Sequence, residues 1–191
     1  MTIVQFGLEG AHSAEVTESQ GAYTFAAWAA IPGAVKMSGT DNSAVTEEYA
    51  DNRLYYTVTR ISSTDVDLEF EKLPAQFMID YCGYVRSTTG GLIKTANKKR
   101  KRFAFGFMNE TDENGEYHVL PICQVTENNP TSYETDKNGS VTFAHATLRI
   151  KVTPVRIGKY DVIMDDIPEE DSRYENMWSS AYALPTIATG Q

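Results

Sequence analysis

The chain is 191 residues long, carries a formal net charge of −9, and is 41% hydrophobic and 23% charged. That size suits one domain, or one domain with extended arms, and buries roughly 70% of the unfolded surface without a disulfide or metal staple. The composition excludes a disordered chain, no apolar run approaches the ~20 residues of a membrane span, and the acidic balance argues against nucleic-acid binding by the whole domain.

The opening "MTIVQFGLEG" has neither the basic start nor the apolar core of a secretion signal. Residues 1–9 are expected to form an N-terminal arm ahead of a domain spanning 10–164. "KMSGTDNSAVTEEYADN", 36–52, follows neither the strand nor the helix period. It is expected as a long polar loop, of a length that compact domains keep for a function. "RLYYTVTRI" supplies aromatic and β-branched strand material, and "DVDLEFEK" then alternates strictly. Val66, Leu68 and Phe70 point to one side, and Asp65, Asp67, Glu69 and Glu71 to the other, the mark of a half-buried antiparallel strand. "LPAQFMIDYCGY" predicts one helix over about 74–82, with Pro74 suited to its first turn and Gly83 to its close.

Five cations, Lys98, Lys99, Arg100, Lys101 and Arg102, lead into the apolar strand "FAFGF". Leaving them out takes the net charge of the remaining chain from −9 to −14. "YHVLPICQVT" is a further strand, and turn chemistry lies at 87–91, Asn114-Gly115 and Asn138-Gly139. "TLRIKVTP" repeats the alternation, with Leu148, Ile150 and Val152 against Arg149, Lys151 and Thr153. The matching spacing of the two combs pairs Asp65, Asp67 and Glu69 across strands with Arg149 and Lys151, each pair contributing ~0.2–1 kcal/mol. From Asp165 onward, acids mix with Tyr174, Met177, Trp178, Tyr182, Leu184 and Ile187. So many large apolar groups call for a docking surface, on the parent domain or on a neighbouring subunit. The fold class is therefore mainly β: an antiparallel β-sandwich with one flanking α-helix, a long loop and extended terminal arms, the C-terminal one spanning 165–191.

Sites for chemistry are sparse. His12, His118 and His145 lie on separate predicted strands without metal-ligand spacing. Cys82 and Cys123 are far apart and read as free thiols of a reducing cytoplasm. Asp165-Asp166 and Glu169-Glu170 read as a solvated acidic segment, since a tail holds two carboxyls at a fixed separation poorly. Asn109-Glu110-Thr111 and Asn138-Gly139-Ser140 match the glycosylation pattern by coincidence, given the missing secretion signal. There is no Gly-rich phosphate loop and no GxSxG elbow. No catalytic residue, cofactor or metal is expected.

In order along the chain, "GLEGAHSAEVTE", "IPGAVKMSG", "EEYADNRLYYTVT", "DVDLEFEKLP", "PAQFMIDYCGY" and "TLRIKVTP" resemble the major tail protein of long-tailed, non-contractile bacteriophages, the subunit of the tail tube. The resemblance runs from about Gly7 to Pro154, and "YADNRLYY" and the strand–"LP"–helix junction are its most specific parts. The basic run and the tail beyond Asp165 fall outside it. It implies a β-sandwich flanked by one helix, in six-fold rings stacked into a tube around the tape measure protein. Distal tail and tail terminator proteins would be further partners, and the tube would sit in the virion tail after assembly in the host cytoplasm. Membrane has no part in this, and DNA would pass through only transiently, without sequence specificity. It further implies that the loop at 36–52, with Tyr49, Asp51 and Asn52, and the terminal arms, with Tyr174 and Trp178, reach adjacent rings. No catalytic residue carries over.

Within that resemblance Asp65, Asp67 and Glu69 gain a second reading, as a negative lumen wall from which sliding DNA does not stick. The basic run then calls for a protein partner. Its acidic complement is Asp165, Asp166, Glu169, Glu170 and Asp171 of a neighbouring subunit, across the joint between rings. The other reading of the run is a solvated gatekeeper that keeps "FAFGF" soluble. Three rival functions stand beside the tube. One is a carbohydrate-binding module with Trp28, Tyr55, Tyr56, Tyr117 and Trp178 as its platform. Another is a small hydrolase around His118 or His145. The last is another tail protein, such as a terminator or a sheath-type tube protein.

Overall fold

The computed structural model describes residues 5–111, 115–129, 145–178 and 182–187. It is mainly β, sandwich-like, and dominated by one large antiparallel sheet with a single α-helix among the described residues. Strand β1 (Gln5–Ser19) is followed by the short β2 (Ala22–Phe25) and β3 (Ala29–Ala30). Strands β4 (Ala34–Ala50) and β5 (Arg53–Phe70) form a long hairpin, and helix α1 (Ala75–Tyr81) comes next. A small hairpin of β6 (Tyr84–Arg86) and β7 (Leu92–Lys94) precedes β8 (Phe103–Thr111) and β9 (Glu116–Asn129). Then come β10 (Ala146–Val152), the hairpin of β11 (Val155–Ile157) and β12 (Tyr160–Val162), and β13 (Asp165–Ile167). The main sheet runs β2-β1-β8-β9-β10-β5-β4, with β3 attached to β1 and β13 to β9.

Two expectations need correction. Residues 36–52 are not a loop: all but the last two belong to β4, paired with β5 over its whole length. Polar residues on both faces hide the strand period there, and main-chain hydrogen bonds form regardless. At the N-terminus, residues 5–9 of the expected arm are already strand, paired with β8, and residues 1–4 lie outside the described residues. Strand β1 achieves this with two register shifts, at Gly7 and Gly10, whose φ of 80° and 56° suit glycine and mark β-bulges.

For the C-terminal segment, one of its two expected docking surfaces is occupied. Its described residues lie on their own domain: β13 joins the sheet edge at β9, and a 3-10 turn (Tyr174–Asn176) leads on to Met177, Trp178 and Tyr182. Met177 and Tyr182 are buried with Val16, Phe25, Ala104, Val119, Ile122 and Val155.

Strand β8 explains how both sheet faces are covered. In "FAFGF" the large residues Phe103, Phe105 and Phe107 enter one core, where α1 packs through Phe77 and Tyr81, a helical turn apart. Their rings lie 5.4 and 4.6 Å from that of Phe103. The small residues Ala104 and Gly106 face the C-terminal segment. A Cβ on Gly106 would lie 2.7 Å from the Trp178 ring, which is itself held by His12, Trp28 and Tyr117. Gly106→Val should therefore dislodge Trp178, lowering stability by about 1–3 kcal/mol and shifting tryptophan emission to the red. A urea titration followed by fluorescence checks this; an unchanged midpoint and spectrum would contradict the packing.

Candidate functional site: an unpaired hairpin arm and the charged face at its root

Strand β10 covers β5 only from Thr64 to Phe70, opposite Val152 to Ala146. Beyond Val152 the Thr153 amide bonds to the Ile122 carbonyl at 2.9 Å, and Pro154, which has no amide proton, cannot extend the ladder. From Ser62 to Arg53, β5 therefore pairs, among the described residues, with β4 alone. At roughly 3.3 Å per residue, this two-stranded arm projects about 30 Å. Asp51 and Asn52 close it, both with positive φ (51° and 59°), as a two-residue type I′ turn requires.

The arm is exposed on both faces. Opposed residues share a face, so Ser43–Ile61, Val45–Thr59 and Glu47–Thr57 line one side, and Ala44–Arg60, Thr46–Val58 and Glu48–Tyr56 the other. Tyr55 is 76% exposed, Tyr49 63% and Tyr56 60%, and Val45, Leu54 and Ile61 are exposed as well. Most of the chain's large exposed apolar side chains among the described residues thus sit on this arm. Two unpaired strand edges bearing such groups constitute a surface for association. Sequence reasoning named Tyr49, Asp51 and Asn52 here but missed Val45, Leu54 and Ile61. The β-branched and aromatic residues of "AVTEEYA" and "RLYYTVT" on either side of a two-residue turn were the available signal.

At the arm's root the outer face of β4, β5, β10 and β9 is polar. Arg149 forks onto Asp67, Nε to Oδ1 at 2.7 Å and Nη2 to Oδ2 at 3.1 Å, and also lies 3.6 Å from Glu127. The fork from Arg149 holds the Asp67 carboxyl below its usual range. Glu69 meets His145 at 2.6 Å, Asp65 accepts from Asn42 at 2.8 Å, and Lys151 stands opposite Asp65 in register. Of these, Asp67, Glu69, Glu127 and Arg149, with Lys36, frame an open groove of about 390 Å³ whose charges are mixed rather than uniformly acidic. Exposed pairs of this kind are screened by water and add little to stability.

The basic run is engaged inside the chain. Lys98 donates to the carbonyls of Ile79 and of Tyr84, the latter at 2.7 Å. Arg100 Nη1 donates to the carbonyls of Val125 (2.7 Å) and Thr126 (2.8 Å). Lys101 pairs with Glu15 at 2.8 Å and Arg102 with Glu18 at 2.9 Å, both on β1. Lys99 alone has no partner among the described residues. The run thus latches the end of α1 and the strands β1 and β9 onto the entrance of β8.

Of its expected acidic partners, Asp165, Asp166 and Asp171 are engaged internally. Arg173 binds Asp165 at 2.8 Å and Asp171 at 2.7 Å, and the Tyr182 hydroxyl donates to Asp165. Asp166 meets His118 at 2.6 Å, and Glu169 and Glu170 are exposed. Tyr174 donates its hydroxyl to the Gly115 carbonyl at 2.9 Å, and Trp178 stacks on His12 with ring centroids 4.2 Å apart. Tyr174 and Trp178 are thus built into this subunit's own packing.

The rival sites fare differently. Trp28 and Tyr117 each pack edge-on against Trp178, while Tyr55 and Tyr56 lie on the arm, so the five aromatics share no platform. His118, buried beside Phe107, joins Asn109 at 3.0 Å as well as Asp166, and so ties β13 to β9 and β8. No group of three metal-capable side chains occurs among the described residues, and none of its helices is long and apolar enough to cross a membrane. Both cysteines are buried, and burial pushes the Cys82 thiol up to about 12 and Cys123 up as well. No protein-family model matches the chain, and no curated protein matches its sequence.

Two tests follow from these contacts. Lys98→Ala strips two part-buried carbonyls of their donor and should cost about 1–3 kcal/mol. Lys99→Ala should stay within about 0.5 kcal/mol, and equal losses in chemical denaturation would contradict the assignment. Hydrogen bonds from Arg173 hold the Asp171 carboxyl below its ordinary 3.8. A carboxyl depressed by folding stabilises fully above its unfolded value and loses that contribution as pH falls through the folded one. The C-terminal segment should therefore loosen only below about pH 4, read by near-UV circular dichroism of Trp178, and earlier in Arg173→Gln.

Proposed function

We propose that this chain is a structural subunit that assembles with copies of itself into stacked rings forming a hollow tube, the tail tube of a long-tailed bacteriophage. The supporting observation is the arm of Ser43–Ser62: a two-stranded ribbon with unpaired edges and exposed Tyr49, Leu54, Tyr55 and Tyr56. An isolated two-stranded ribbon is marginal in water. Its unpaired amides and carbonyls are matched when a second sheet edge pairs with it, and its apolar groups when a neighbour covers them. A head-to-tail contact whose rotation closes gives rings, and a stacking contact then propagates them. The sequence resemblance supplies the ring-and-tube form of this reading and the passage of DNA through the lumen. In that arrangement the face bearing Asp65, Asp67, Glu69, Arg149 and Lys151 lines the channel, where acids already paired with Arg149 and His145 give a mixed rather than strongly negative wall.

Deleting 43–62 and closing the hairpin with Asn-Gly should leave a folded monomer, because the arm makes no core contact. The same deletion should abolish assembly. Negative-stain electron microscopy and sedimentation check both. Tubes from the armless variant, or a full chain that stays monomeric at every concentration, would contradict the proposal.

A further inference from the structure

β4 and β5 do not pair evenly along the hairpin. Asn42 stands opposite Ser63 and Ser43 opposite Ile61, so Ser62 is an extra residue on β5 with no counterpart on β4. Such a bulge bends its strand and sharpens the local twist. β10 supports β5 as far as Thr64, opposite Val152, so the bulge falls at the border between braced sheet and free arm. The hairpin has two other register shifts. The one between Ala34 and Lys36 lies opposite Phe70 and Glu69, where β10 still flanks β5. The one between Glu48 and Tyr49 lies beside the Asp51–Asn52 turn, where it bends only the tip.

The bulge at Ser62 is also stapled. Its hydroxyl donates across the ribbon to the Asn42 carbonyl at 2.9 Å. The Asn42 side-chain amide donates in return to the Ser63 hydroxyl at 3.2 Å and to the Asp65 carboxylate at 2.8 Å. On the other face of the ribbon the Thr64 hydroxyl donates to Asp41 at 2.5 Å. We infer that Ser62 and Asn42 form a fixed elbow, which sets the angle between arm and sheet before any partner is met. The inference needs no second copy, and it stands or falls apart from the self-assembly reading. A ribbon hinged loosely at its root sweeps many directions and loses that freedom on binding, whereas an arm already aimed loses less. The elbow thus presents exposed Tyr49, Leu54 and Tyr56 in one set direction.

One deletion isolates the bend. Removing Ser62 makes the pairs Asn42–Ser63 and Ser43–Ile61 consecutive, and leaves every other pair, both arm faces and the turn in place. Nitroxides go on through Thr57→Cys on the arm together with either Ala75→Cys on α1 or Thr147→Cys on the outer face of β10, all three positions being exposed. Cys82 and Cys123 are buried and their thiols held protonated, so they take no label. Each labelled chain is diluted into its unlabelled form, so that pulsed electron spin resonance reads distances within one molecule whether or not copies associate. The deletion should shift at least one of the two distances by several ångström. Asn42→Ala keeps the bulge but removes its staple, and should broaden both distance distributions. Two unshifted distances overturn the elbow, and unbroadened distributions overturn its fixed angle. If the deletion variant does not fold, Asn42→Ala decides alone: broadening supports the elbow, and widths equal to those of the unsubstituted chain overturn it.

Discussion

The molecule is governed by a mismatch of strand lengths. β5 runs 18 residues, whereas β10, its only neighbour besides β4, ends opposite Thr64. What stops β10 is Pro154, which cannot donate to a ladder. What lets β5 continue is β4, equally long and turned by Asp51 and Asn52. From Ser62 to Arg53 the ribbon has, among the described residues, no sheet beside it and no core beneath it. Backbone groups there satisfy only one edge each, while Tyr55 and Tyr56 meet water.

An overhang is useful only on a firm base, and the base is unusually well tied. α1 covers one face of β8 and the C-terminal segment covers the other, the division being written into "FAFGF". The basic run locks α1, β1 and β9 together through carbonyls and carboxylates, and Arg173 with Asp165, Asp171 and Tyr182 fastens the C-terminal segment. Electrostatics therefore serves the interior of the subunit, while the arm is left to shape, apolar surface and strand edges.

The sequence was most legible where one face of an element meets the core. Strict alternation in "DVDLEFEK" and "TLRIKVTP" marks two strands that do pair, and the helix ends one residue inside each expected bound, closed by Gly83 with φ +81°. Legibility failed for β4, because a ribbon wet on both faces needs no alternation and Asp-Asn is a weaker turn signal than Asn-Gly. It failed again for the charged runs. Which acid meets Lys98–Arg102 depends on the three-dimensional neighbourhood of β8, and Glu15 and Glu18 lie more than eighty residues away in sequence. The bulges at Gly7 and Gly10 are visible only as glycines until the register is known.

The central claim is that the outer edges of 43–62 are unpaired in the single chain and become paired when copies join. Amide hydrogen exchange, read segment by segment on the monomer and on assembled material, measures this directly. The account predicts fast exchange of arm amides in the monomer beside a protected β8–β9–β10 core, and core-like protection of the arm after assembly. Arm amides that exchange equally fast in both states, in material shown to be polymerised, would contradict it.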